Sequence, residues 1–130
     1  MRYMMMVKAD ADYEAGAPPD PRLLAAIGKL SEDMTKAGVL LEMGGLLPSS
    51  TGARVRVAGG KLSVTDGPFA EAKELIGGYA ILRANSKEDA IRLGSDFMQL
   101  HAEVLGPAYT GELEIRQLFD PSDFEPEPKA

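Results

Sequence analysis

Asp66-Gly67-Pro68-Phe69-Ala70-Glu71-Ala72-Lys73-Glu74-Leu75-Ile76-Gly77-Gly78-Tyr79 runs from a turn, through a short charged segment, into an apolar stretch that continues to Leu82. Pro68 fixes its own φ and excludes Gly67 from the right-handed helical region, so the two punctuate a turn. Asp66 is suited to bonding its own backbone two residues on. Leu75 to Leu82 lacks alternation, which suits a strand buried on both faces. Gly77 and Gly78 weaken such a strand unless backbone approaches closely or a bulge is wanted. Two functional readings stay open. Either the turn is structural and its charges are solvated, or Asp66, Glu71, Lys73 and Glu74 line a ligand pocket beside the glycine-opened strand and Tyr79.

Upstream, Ala53–Ala58 and Lys61–Thr65 alternate around Gly59-Gly60, a hairpin with Leu62 and Val64 expected inward. Residues 2–8, apolar from Tyr3 to Val7, read as a central strand, and 10–19 as a loop whose Asp10, Asp12 and Glu14 face either a ligand or water. Asp20-Pro21 starts a helix with the stripe Leu23, Ile27, Leu30 and Met34, and Gly38 ends it. Val39–Leu47 reads as a strand with a bulge or bend at Gly44-Gly45. Ser86, with Asp89 three residues on, opens a second helix that Gly106-Pro107 breaks; Ala90, Gly94, Phe97 and His101 share one stripe of it. Residues 112–118 alternate as the last strand.

Setting the hairpin aside, the order is βαββαβ. The expectation is an α+β, ferredoxin-like fold with an inserted β-hairpin: an antiparallel sheet with two helices on one face. The strands are too apolar to leave the other face wet. Burying ~500 Å² of it is worth ~12 kcal/mol before association costs, which favours a homodimer packed sheet to sheet. Residues 1–119 form the domain, and Asp120–Ala130, with three prolines and four acidic residues, reads as a tail.

The chain has 130 residues and a net charge of −6, so nonspecific nucleic-acid binding is disfavoured. It has no cysteine, which excludes disulfides and thiolate chemistry and is consistent with a cytoplasmic protein. The apolar run near the start is too short for a signal or a membrane span. No metal site or cofactor is indicated; a single histidine makes a zinc site improbable. His101 is either an acid/base group working with Asp66 or a histidine favoured by a helix C-terminus. Arg54 and Arg56 either receive an anionic ligand or pair with Glu42, Glu112 or Glu114.

The run Asp66–Ile81, with its ordered flanking segments, resembles the signature of the DGPF proteins, a branch of the YCII-related family. The resemblance implies a dimeric α/β-barrel arrangement with clefts between sheet, helices and loops. It also implies that members of the wider group are proposed enzymes, since the fold resembles muconolactone isomerase, and that some DGPF proteins accompany extracytoplasmic-function sigma factors; a cofactor-free isomerase or lyase type of enzyme using Asp66, Glu71, Lys73 or His101, and a sigma-factor accessory acting through protein contact, are the alternatives. The proposed enzymes of that group carry a histidine on the first helix beside an aspartate. Here Pro21–Lys36 contains no histidine, so that pair does not transfer. A small-molecule ligand or a regulatory partner, held by a homodimer without demonstrated catalysis, is the leading expectation.

Overall fold

The computed structural model describes residues 1–70 and 74–124. Strand β1 (Arg2–Lys8) leads through a short helix α1 (Ala11–Glu14) to helix α2 (Pro21–Lys36) and edge strand β2 (Leu40–Gly45). A hairpin follows, β3 (Ala53–Ala58) and β4 (Lys61–Asp66), then β5 (Ile76–Arg83), helix α3 (Lys87–Leu105) and β6 (Leu113–Gln117). The four long-range strands form one antiparallel sheet in the order β2-β5-β1-β6. This is the ferredoxin-like α+β arrangement, with the two least alternating strands, β1 and β5, at the centre.

Local chemistry explains the helix limits. The Asp20 carboxylate accepts from Arg22 N at 2.8 Å, Pro21 occupies the first turn, and Gly38 closes the helix at φ +74°. Ser86 Oγ accepts from Asp89 N at 3.0 Å. The Asp89 carboxylate reaches back to Asn85 N, one residue earlier than in a standard capping box.

Tyr3, Met5, Leu82, Ala84 and Ala90 form the buried centre, with Met34, Leu40, Leu93, Leu113 and Ile115 packed around it. Register assigns the faces. Tyr3 with Leu82, and Met5 with Ala80 and Ile115, face the helices; Met4 with Ile81, and Met6 with Tyr79, face the other side. Gly94 allows the closest helix-to-sheet approach. A Cβ there would sit 2.8 Å from Leu113 Cδ2 and 3.0 Å from Ile115 Cδ1.

Three expectations need correction. The 10–19 segment contains α1, because Asp10 accepts from Tyr13 N at 2.7 Å and starts one helical turn. The register shifts fall at Leu40/Glu42 and Val7/Lys8 rather than at Gly44-Gly45. Leu62 and Val64 do not point into the core. The β3–β4 hairpin is a separate two-stranded sheet, and all its residues are exposed. Of the expected tail, Pro121–Phe124 forms a 3-10 turn, in which Asp120 N donates to Asp123. Residues 125–130 lie outside the described residues.

Candidate functional site

A cleft of about 580 Å³ opens between the helix-facing side of the sheet and helices α2 and α3. Its sheet wall sets a patch of small residues, Ala9, Gly45, Gly77, Gly78 and Ala80, among larger ones such as Met5, Met43 and Leu82. Larger side chains there would fill the volume, so the cavity follows from residue choice. Gly78 also meets backbone closely, as a glycine in a strand suggests, whereas Gly77 is in ordinary contact. A Cβ on Gly78 would lie 3.3 Å from the Gly44 carbonyl oxygen, and one on Gly77 3.6 Å from Ala9 Cα. Leu23, Ile27 and Phe97 add an apolar wall from the helices.

The polar groups of the cleft come from three places in the chain. His101, on the inner stripe of α3, is 6% exposed. Its Nδ1 lies 2.9 Å from the Phe97 carbonyl oxygen, so Nδ1–H donates there, and in the neutral ring Nε2 is the acceptor. Phe97 meets the ring edge-on, and Tyr109 stacks on it with centroids 5.7 Å apart. Burial first, and then the negative charge of Asp10, push the Tyr109 phenol above its ordinary value, so it stays protonated at neutral pH. Asp10 and Asp12 line the cleft at α1. Tyr13 closes one end, donating its hydroxyl to the Leu46 carbonyl.

A second cluster surrounds the signature turn. Ser49 donates to the Glu14 carboxylate twice, from N at 2.8 Å and from Oγ at 2.5 Å. The same Oγ accepts from Phe69 N at 3.0 Å. Gly67 N donates to the Gly52 carbonyl at 2.9 Å, and the Arg54 guanidinium lies 3.9 Å from the Phe69 ring centroid. The Gly67-Pro68 peptide is cis. Gly67 has no room for a side chain, since a Cβ would come within 2.6 Å of the Ser49 carbonyl carbon and nearer still to its oxygen. The bonds tie α1, the 49–51 turn and the foot of the hairpin into one bracket.

These positions separate the residues singled out by sequence. His101 lines the cleft, whereas Asp66, Glu74, Arg54 and Arg56 do not. Asp66 is exposed at the end of β4, opposite Ala53. Glu74 borders a shallow recess with Glu14, Ser49 and Phe69. Tyr79 touches the cleft wall, but its hydroxyl donates to Glu42 at 3.0 Å on the face turned away from the helices. That contact with the Glu42 carboxylate raises the Tyr79 phenol above its ordinary value. Arg54 stacks on Phe69, and Arg56 forms no ion pair among the described residues. Glu71 and Lys73 lie outside the described residues. Asp66 forms no side-chain bond of its own among the described residues.

Sequence reasoning missed Tyr109. The signal was available in the Gly106-Pro107 break, which turns the chain back so that an aromatic two residues on meets His101, the last buried residue of α3. No three His, Cys, Asp or Glu side chains converge as a metal site among the described residues, and no helix there is long and apolar enough to cross a membrane.

Comparison with known proteins matches the YCII-related domain over residues 1–104. An uncharacterized protein of Rhizobium meliloti (strain 1021) is 28% identical over 99 residues, 76% of this chain and 75% of that one. With the family's domain spanning β1 to the last turn of α3, the chain belongs to the YCII-related family.

Proposed function

We propose that the protein binds a small, largely apolar molecule in the helix–sheet cleft, with a polar end held against His101, Tyr109 and Asp10. The carrying observation is the cleft itself. It has the volume of a small-molecule site, an apolar lining and a few converging polar groups, one of them the only histidine. Nε2 of His101 supplies an acceptor and the Tyr109 hydroxyl a donor, so a hydroxyl, carbonyl or carboxylic group can be matched at that end.

The test is titration with 8-anilino-1-naphthalenesulfonate, a fluorescent apolar probe. One saturable site per chain is expected, lost in Ile27→Trp, which narrows the cleft, and kept in Val57→Asp on the distant hairpin. Binding that survives Ile27→Trp and disappears with Val57→Asp would place the probe outside the cleft and sink the reading.

A second reading has its own observation. An imidazole with a free lone pair stacks on a phenol that keeps its proton, which is a general base beside a general acid. A cofactor-free isomerase or lyase would then exchange the α-proton of a carbonyl substrate. In D2O, loss of that proton's NMR signal with wild type but not with His101→Gln is the expected result; equal rates would remove it. The signature at 66–81 supports placing the chain in the DGPF branch. The apolar centre of the free sheet face, Met4, Met6 and Ile81, supports a homodimer, while the cleft itself is lined by one chain.

A further inference from the structure

We propose that the β3–β4 hairpin is a clasp that lays its apolar face on a second copy of this chain. The inference rests on the homodimer reading for its occupant and goes beyond it in assigning the surface. Cross-strand pairing puts Val55 opposite Val64 and Val57 opposite Leu62, so all four share one face. They are between 67% and 73% exposed, among the most exposed large apolar side chains of the described residues. The opposite face carries Arg54, Arg56, Ser63 and Thr65. An isolated two-stranded hairpin with one wholly apolar face is marginal in water unless that face is covered.

The arm does not cover its own sheet. Its foot is fixed by the bracket of Gly67 on Gly52, Phe69 on Ser49 and Arg54 over Phe69. Anchored there, the hairpin has its apolar face exposed, with no other element on it among the described residues.

Two features fit a second copy as the occupant. The first is charge. The hairpin bears Arg54, Arg56 and Lys61 against Asp66 alone, in a chain of net charge −6, so it is a basic arm on an acidic body. Arg56 and Lys61 form no ion pair among the described residues, and with Arg54 they lie on the face away from the apolar contact, so their charge acts as a long-range attraction to the acidic body and not as pairing across the interface. Such an arm is drawn to the body of its own kind. The second is area. The four side chains expose roughly 450 Å², less than the ~800 Å² per partner of a stable interface. A two-fold exchange doubles it: each copy buries its arm and, on its body, the patch under the partner's arm. That meets the requirement without any other segment.

Sedimentation equilibrium of the full chain tests this with three proteins: wild type, Val57→Asp/Leu62→Asp, and Ile81→Lys on the free sheet face. The hairpin variant alters only exposed positions, and its far-UV circular dichroism should match wild type. The expected result is a dimeric wild type and a dimer dissociation constant raised at least tenfold in the hairpin variant. Leu62→Cys, the sole cysteine in the chain, labelled with a benzophenone maleimide, should photo-crosslink to twice the chain mass. A hairpin variant that dimerises as tightly as wild type, while Ile81→Lys is monomeric, overturns the clasp and leaves the sheet-packed dimer standing. A wild type monomeric at high micromolar concentration overturns both.

Discussion

Gly67→Ala tests whether the signature turn is a bracket. A methyl at that Cα would come within 2.6 Å of the Ser49 carbonyl carbon, and both partners are backbone, so no rotamer change relieves it. The turn must lift off Ser49. It then loses the Gly67–Gly52 and Phe69–Ser49 bonds, about 1 kcal/mol each, and the Arg54–Phe69 contact, about 0.5–1 kcal/mol at an exposed site. Ser49 Oγ keeps Glu14, so that bond is not counted. Against the total of about 3 kcal/mol stands up to ~1 kcal/mol gained because alanine restricts the unfolded chain. The net expectation is a loss of about 2 kcal/mol, or a fall in Tm of roughly 8 °C for a domain of this size. Urea unfolding followed by far-UV circular dichroism measures it. Gly28→Ala is the control. It lies inside α2 with nothing within 4 Å of an added Cβ, so it should gain about 0.5–1 kcal/mol from helix propensity alone. Gly67→Ala within ~0.5 kcal/mol of wild type would refute the bracket, because the turn would then be free to move at no cost.

The Asn85 N–H, and then the Arg92 guanidinium, hold the Asp89 carboxyl below its ordinary value of 3.8. A depressed folded pKa stabilises fully above the unfolded value and loses that contribution as pH falls through the folded one. The urea midpoint of wild type relative to Asp89→Asn should therefore shrink as pH drops below about 4 and be flat above about 5; a difference constant across that range would contradict it. In tyrosine absorbance titration, Tyr79 and Tyr109 should ionise above the ordinary value of 10.0, and Tyr79→Phe should remove one late step. If the lost step is instead an ordinary one, the Glu42 contact is absent in solution. Gly94→Ala should change stability by under about 1 kcal/mol, since only the flexible ends of Leu113 and Ile115 must move while the helix gains propensity. Gly94→Leu overfills the same gap and should cost about 2 kcal/mol or more in urea unfolding.

The parts of the fold legible in the sequence are those encoded locally. Asp20-Pro21 and Gly38 mark α2 because the cap, the ring constraint and the positive φ each act within a few residues. The unbroken apolar runs at 3–7 and 75–82 mark the two central strands of the sheet. What was not legible depends on distant partners. Alternation in Val55, Val57, Leu62 and Val64 shows that they share a face, but not that the face is left exposed among the described residues. Helix α1, four residues long, is shorter than the window over which a helical period can be recognised. The cleft is defined by side chains that are missing from Ala9, Gly77 and Gly78, and a cavity leaves no mark in a hydrophobic pattern. His101 was recognisable as a candidate, yet its neighbour Tyr109 sits in irregular chain where periodicity says nothing.

The signature turn at Asp66–Phe69 and the candidate chemistry occupy different parts of the molecule, and α1 is what joins them. Asp10 and Asp12 line the cleft, while Glu14, four residues from Asp10, holds Ser49 in the bracket. Tyr13 between them bonds the Leu46 and Gly77 carbonyls, at the end of β2 and on β5. One helical turn is too short to bend, so a displacement of Asp10 is carried to Glu14. The strongly specified sequence around Gly67 then has a physical use that requires no chemistry of its own. It fixes the wall against which α1 is set, and with it the position of the carboxylates at the mouth of the cleft. Residues that do chemistry need to be few; residues that fix their position need tight packing, and tight packing is what leaves a long readable motif.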